Sequence, residues 1–157
     1  IVSLVSDSLP GLAQGYSRVY ARTIGQNMEE ISDSIKILWT GKPIITKTSG
    51  ASTFAVLNAG SAAGFTFTVK DYLGHPMSPG TTITVSGNGL SVDGDSNILM
   101  PDTFSTGAGL TDFTINSISD SNPLTTAAPV LQSSVKVTVT HSVYGTYTLT
   151  LASGTVQ

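Results

Sequence analysis

Three carboxylates, Asp93, Asp95 and Asp102, stand close together in the stretch SVDGDSNILMPD, whose opening looks like the start of an oxygen-rich calcium loop. Ca²⁺ is a hard cation that collects several oxygen ligands, which is why clustered aspartates on a loop suggest it. The glutamate that closes an EF-hand loop at its twelfth position is missing, and a plain Asp-Gly turn competes for the same residues. Ca²⁺ held by Asp93, Asp95 and Asp102 is the sole cofactor these residue types suggest.

The remaining chemistry-bearing residues point away from catalysis. His75 lies in a GHP turn and His141 near the end of a β-branched run, and neither has zinc-site spacing. Serine and aspartate are abundant, yet no G-x-S-x-G elbow marks a nucleophile. GSAAG and TGAGL lack the glycine patterns of phosphate cradles and sit among strands. Tyr16, Tyr20, Tyr72, Tyr144 and Tyr147 are too scattered for a sugar-stacking platform to be the simpler reading over cross-strand packing. We expect no catalytic residues and no enzyme.

Charge narrows the partners. Charged residues make up only 11% of the 157 residues and the net charge is −3. Arg18, Arg22, Lys36, Lys42, Lys47, Lys70 and Lys136 are spread along the chain, so no basic patch is available to neutralise a run of phosphates, and nucleic acid is not an expected partner. No apolar run approaches the ~20 residues of a membrane span. The opening IVSLVSDSLPG lacks the basic start and long apolar middle of a signal peptide, so secretion would imply a signal already removed. With no cysteine, neither disulfides nor Cys-ligated metal can hold the domain together.

From about Gly41 onward, short β-branched runs alternate with Gly, Pro, Asn and Asp, the spacing of an all-β sandwich. In GFTFTVKD, Phe65, Phe67 and Val69 share one face. In TTITVSGNGLSV, Ile83 and Val85 precede Asn88-Gly89, which predicts a type I′ hairpin to Leu90 and Val92. In SVKVTVTHSVYGTYTLTLASG, Val135, Val137 and Val139 form one apolar row and Tyr147, Leu149 and Leu151 a second, across an SVYG turn. Those rows, with Phe65, Phe67, Val69, Ile83 and Val85, are the expected core. DFTINS, TFAVL and PIITK add strands, SNPLTTAAPVLQ reads as a long connection, and the total comes to roughly seven or eight strands.

FTVKDYLGHPMSPGTTITV resembles the "strand, Asp, x, x-Gly-x-Pro, x-x-Gly-Thr, strand" signature of bacterial Ig-like domains of surface proteins, through Val69, Asp71, Gly74, Pro76, Gly80 and Thr81. The resemblance covers roughly residues 42 to 154. It implies that Asp71 to Pro76 turns between two strands of an Ig-like β-sandwich and that the hairpin ending at Leu151 closes the sheet. It further implies an extracellular or cell-surface setting, often in tandem arrays, with a structural or adhesive role. The cysteine pair of antibody-type domains is absent, and the single tryptophan, Trp39, lies outside the proposed domain.

Residues 1 to 41 fall outside that domain, yet GYSRVYARTIGQNMEEISDSIKILWTG reads as a hairpin in which Val19 and Ala21 face Ile35, Ile37 and Trp39 across a polar turn at Gln26 to Glu30. It resembles the last hairpin of a similar Ig-like domain. A lone two-stranded hairpin is marginal in water, so these strands need a partner sheet. Three are available: the rest of this chain, the missing part of a preceding domain, or a neighbouring subunit completed by strand addition, as in donor-strand assembly of pili.

The expectation is therefore two parts, an N-terminal hairpin over 1–41 and an Ig-like sandwich over 42–157. Copies of the chain or adjacent Ig-like domains are the expected partners in a surface array or filament. The alternative is an adhesive module binding carbohydrate or a host receptor on the loops around Asp93 to Asp102 and Asn116 to Pro129.

Overall fold

A computed structural model describes residues 15–57, 60–121 and 130–157. It divides into two compact units that meet between Trp39 and Thr40.

The first unit is an antiparallel hairpin of β1 (Tyr16–Ile24) and β2 (Glu30–Leu38), in unbroken register from Tyr16 opposite Leu38 to Ile24 opposite Glu30. Its turn is closed by Gly25 N–H donating to the Glu29 carbonyl at 2.8 Å and Met28 N–H to the Gly25 carbonyl at 3.1 Å. Glu29 also turns back, its carboxylate accepting from Asn27 N–H at 2.9 Å.

The second unit is an all-β sandwich. One sheet has the order β4-β11-β10-β6-β8 and the other β3-β5-β9-β7. The strands are β3 (Ile44–Ser49), β4 (Thr53–Val56), β5 (Ser61–Lys70), β6 (Thr82–Gly87), β7 (Leu90–Gly94), β8 (Asn97–Leu99), β9 (Asp112–Asp120), β10 (Leu131–His141) and β11 (Gly145–Val156). The opening strand run is split at Gly50, whose φ of 95° suits only glycine comfortably: β3 joins one sheet and β4 crosses to the other, pairing parallel with β11. All other ladders of the sandwich are antiparallel, and the arrangement is that of an Ig-like sandwich.

Period-2 alternation explains the core. Phe65 and Phe67 of β5 stand opposite Ile115 and Phe113 of β9, and the Phe67 and Phe113 rings stack with centroids 5.4 Å apart. From the other sheet, Ile83 and Val85 of β6 stand opposite Val139 and Val137 of β10. Val69, Val135 and Leu151 are buried with them; Leu149 is partly buried against this cluster and Tyr147 is half-buried. Met77, Met100, Ile118, Val56 and Val156 complete the packing. Alternation slips at a bulge between Val135 and Lys136, where β11 inserts an extra residue and buries Leu151 and Ala152 in succession.

Two expectations are corrected. Asn88-Gly89 is a tight turn but makes no hairpin, because β6 and β7 belong to different sheets. A type I′ turn needs positive φ at both central residues, and only Gly89, at 69°, has it. The corner is fixed from outside: Ser133 Oγ donates to the Asn88 carbonyl at 2.6 Å and Ser121 N–H to the Gly89 carbonyl at 3.1 Å. The second correction is a ninth strand, the three-residue β8, within the stretch read as a loop after Asp95. The long connection read in SNPLTTAAPVLQ lies largely outside the described residues.

Candidate assembly surface

Residues directly opposite in an antiparallel pair project from the same face, so the hairpin register sorts its side chains into two sets. One face carries Val19 opposite Ile35, Ser17 opposite Ile37, Thr23 opposite Ile31 and Ala21 opposite Asp33. Trp39 joins it, its indole N–H donating to Ser17 Oγ at 2.9 Å and its backbone N–H to the Gly15 carbonyl at 2.8 Å. Ile35 is 64% exposed and Ile31 52% exposed. Val19, Ala21 and Ile35 also line a shallow open hollow.

The opposite face is charged and aromatic. Lys36 Nζ sits 3.7 Å from the Tyr16 ring centroid, Arg18 donates to Ser34 Oγ at 3.2 Å, and Arg22 pairs with Glu30 at 3.4 Å. These exposed contacts hold the ladder's wet side at a few tenths of a kcal/mol each. Sequence reasoning missed Ile31 and Asp33 on the apolar face. Counting back by twos from Ile35 reaches both, and the charge on Asp33 is what hides the pattern.

The residues singled out for chemistry are placed elsewhere. Asp93 and Asp95 flank the bulge that ends β7: Asp95 accepts from Thr114 N–H at 2.8 Å and Asp93 from Asn116 Nδ2 at 3.2 Å. Gly94 there has φ 116°, and a Cβ on it would come within 2.5 Å of the Thr114 carbonyl oxygen. Asp102 lies beyond β8, exposed. Among the described residues, no three His, Asp or Glu side chains gather where they could hold a metal ion.

Asp71 is 3% exposed and organises the turn after β5, accepting from Leu73 N–H and His75 N–H, both at 2.9 Å, and from Gly41 N–H at 3.1 Å. His75 Nδ1 lies 3.2 Å from its second oxygen. These contacts tie the chain entering the sandwich to the Asp-x-x-Gly-x-Pro turn.

His141 has the look of a base beside a nucleophile, with Nε2 2.9 Å from Ser78 Oγ. Its Nδ1 accepts from Val143 N–H at 3.1 Å and Tyr144 N–H at 3.2 Å. A neutral imidazole has one N–H, so Nδ1 is bare and the proton sits on Nε2, donating to Ser78. A base that activates serine needs the reverse tautomer. Burial pushes the His141 pKa below its ordinary value, which keeps the ring neutral.

No protein-family model matches the chain, and no curated protein matches it by sequence. Among solved structures it is similar to domains 4 and 5 of the S-layer protein SbsC, at 13% identity and a TM-score of 0.37, over 94% of this chain and 74% of that one. It matches SbsC domains 1–6 and the SbsC chain 31–844 at the same identity and TM-score, where it spans about a fifth of their length, 21% in each. At that score the correspondence is loose, and the chain's own faces and edges carry the functional reading. No described helix is long and apolar enough to cross a membrane.

Proposed function

We propose that the chain is a non-enzymatic, extracellular structural module, a building block of a surface array or filament that assembles when its N-terminal hairpin completes a neighbouring sheet. The supporting observation is the two-sided character of β1–β2. The hairpin is a two-stranded sheet with no third described strand, and its face of Val19, Ala21, Ile31, Ile35 and Ile37 includes isoleucines more than half exposed. Two strands alone do not bury enough to be stable in water, and open apolar strands template pairing with another chain. The tautomer of His141 and the backbone duties of Asp71 and Asp95 leave the polar groups with structural work.

Negative-stain electron microscopy and size-exclusion chromatography with light scattering, on the full chain across a concentration series, test the proposal. Regular arrays, filaments or discrete oligomers are expected. A chain that stays monomeric at every concentration overturns it.

A further inference from the structure

Strand addition needs an accepting edge, and the sandwich offers poor ones. Its four edge strands are β4, β8, β3 and β7. β8 has three residues and is followed at once by Met100-Pro101; β4 has four. β7 is broken by the bulge at Asp93 and Gly94. β3 has its own register shift between Lys47 and Ser49, and Lys47 Nζ reaches across to the carbonyls of Ala51 and Leu151. Short length, proline, bulges and lysine are the devices by which native sheets refuse edge pairing. The hairpin lacks the first three: both strands run nine residues in one register, without proline or bulge, and its one lysine, Lys36, is on β2 and not on β1.

We infer that the acceptor for this hairpin is the hairpin of a second copy, joined edge to edge through β1 about a two-fold axis at Val19. The inference rests on the assembly reading above and names its seam. Face-to-face packing of two hairpins is disfavoured because it would bury Asp33 against a surface of Ser17, Val19, Ala21, Thr23, Ile31, Ile35 and Ile37 that holds no cation.

The β2 edge fails for a related reason. Strands pair in a two-fold seam only in registers that keep each face together, and in every such register of β2 centred between Ser32 and Ile35, Asp33 meets either itself or an isoleucine.

On β1 the charges are Arg18 and Arg22 alone. A seam centred on Tyr20 sets Arg18 opposite Arg22 of the other copy and is repelled. Centring on Val19 instead sets Val19 against Val19, Ser17 against Ala21, Arg18 against Tyr20 and Arg22 against Tyr16, which exchanges like-charge contacts for cation–π pairs. The product is a four-stranded sheet with both copies' apolar residues on one face and Asp33 on the outer strands. Four strands with one apolar face clear the size at which a sheet becomes stable.

The chain has no cysteine, so introduced thiols report cleanly. Under mild oxidation, Val19→Cys should convert the assembled protein from monomer to disulfide-linked dimer on a non-reducing gel, and Ile35→Cys should not. An equimolar mixture of Ser17→Cys and Ala21→Cys, opposite each other in this register, should cross-link as a heterodimer, and it covers the case in which Val19→Cys does not assemble. Assembly that persists without either cross-link, or cross-linking of Val19→Cys to a thiol placed at Ser91 or Asn97, overturns the seam alone. Absence of assembly in the parent chain overturns the functional reading instead.

Discussion

Ser78 Oγ lies 2.9 Å from His141 Nε2, while the far side of the same ring accepts the backbone N–H groups of Val143 and Tyr144 that form the β10–β11 turn. A buried neutral imidazole therefore ties the end of β10 to the loop before β6. Its folded pKa lies below the ordinary value of 6.5 because burial disfavours the charged ring. The unfolded chain takes up a proton near 6.5 and the folded chain only at lower pH, so the unfolded state binds more protons between the two. Stability should be full above about pH 6.5 and fall as pH drops toward the folded pKa. Thermal melts from pH 8 to 4 check this. His141→Asn keeps an acceptor for the turn and cannot titrate, so its melting curve should lose that part of the slope at a cost of about 1 kcal/mol for the lost bond to Ser78.

Met28 is the one non-glycine residue at positive φ among the described residues, at 65°, and its side chain is 90% exposed. Side chains in that region crowd the following carbonyl at a cost of about 1 kcal/mol, and this one recovers nothing by burial. Met28→Gly or Met28→Asn should therefore tighten the hairpin turn. Hydrogen exchange at the β1–β2 amides should slow in either variant, while exchange in the sandwich stays unchanged.

Asp71→Ala would leave the N–H groups of Gly41, Leu73 and His75 without their carboxylate. Each is a partly buried donor, and orphaning such groups costs about 1–3 kcal/mol. The variant should melt earlier and should be cut faster by protease between Thr40 and Pro43, since Asp71 holds that entering segment. Equal cleavage in both proteins would show that the segment is held by something else.

The all-β class and its sandwich architecture were legible because strands with one wet face write their apolar residues two apart, as in Phe65, Phe67 and Val69 or Val135, Val137 and Val139. Less was legible where the decision is made at a distance. Asn88-Gly89 announces a tight turn, but whether the next strand stays in the sheet depends on Ser133 in β10 and Ser121 just past β9, which hold the corner's carbonyls. β8 is too short to show a period. In the hairpin, residue parity places Val19 and Ile35 on one face, but Asp33 interrupts the alternation and conceals Ile31. At 93 and 95, sequence cannot reveal that backbone and amide donors on β9 stand opposite the two carboxylates.

Gly154 makes a single-residue test of the sandwich. It stands opposite Phe54 in the parallel β4–β11 pair, and a Cβ there would overlap the Phe54 carbonyl oxygen and carbon. The obstacle is backbone, which cannot swing aside as a side-chain tip can. Gly154→Ala must therefore push β4 away from β11, with an overpacking cost of about 1–3 kcal/mol. β4 carries Val56, fully buried in the core, so its displacement also opens the end of the sandwich to water. Hydrogen exchange should accelerate at Thr53 to Val56 first, ahead of the amides of β10. If protection is instead lost uniformly, β4 is an integral part of the cooperative unit and not a strap laid on its edge.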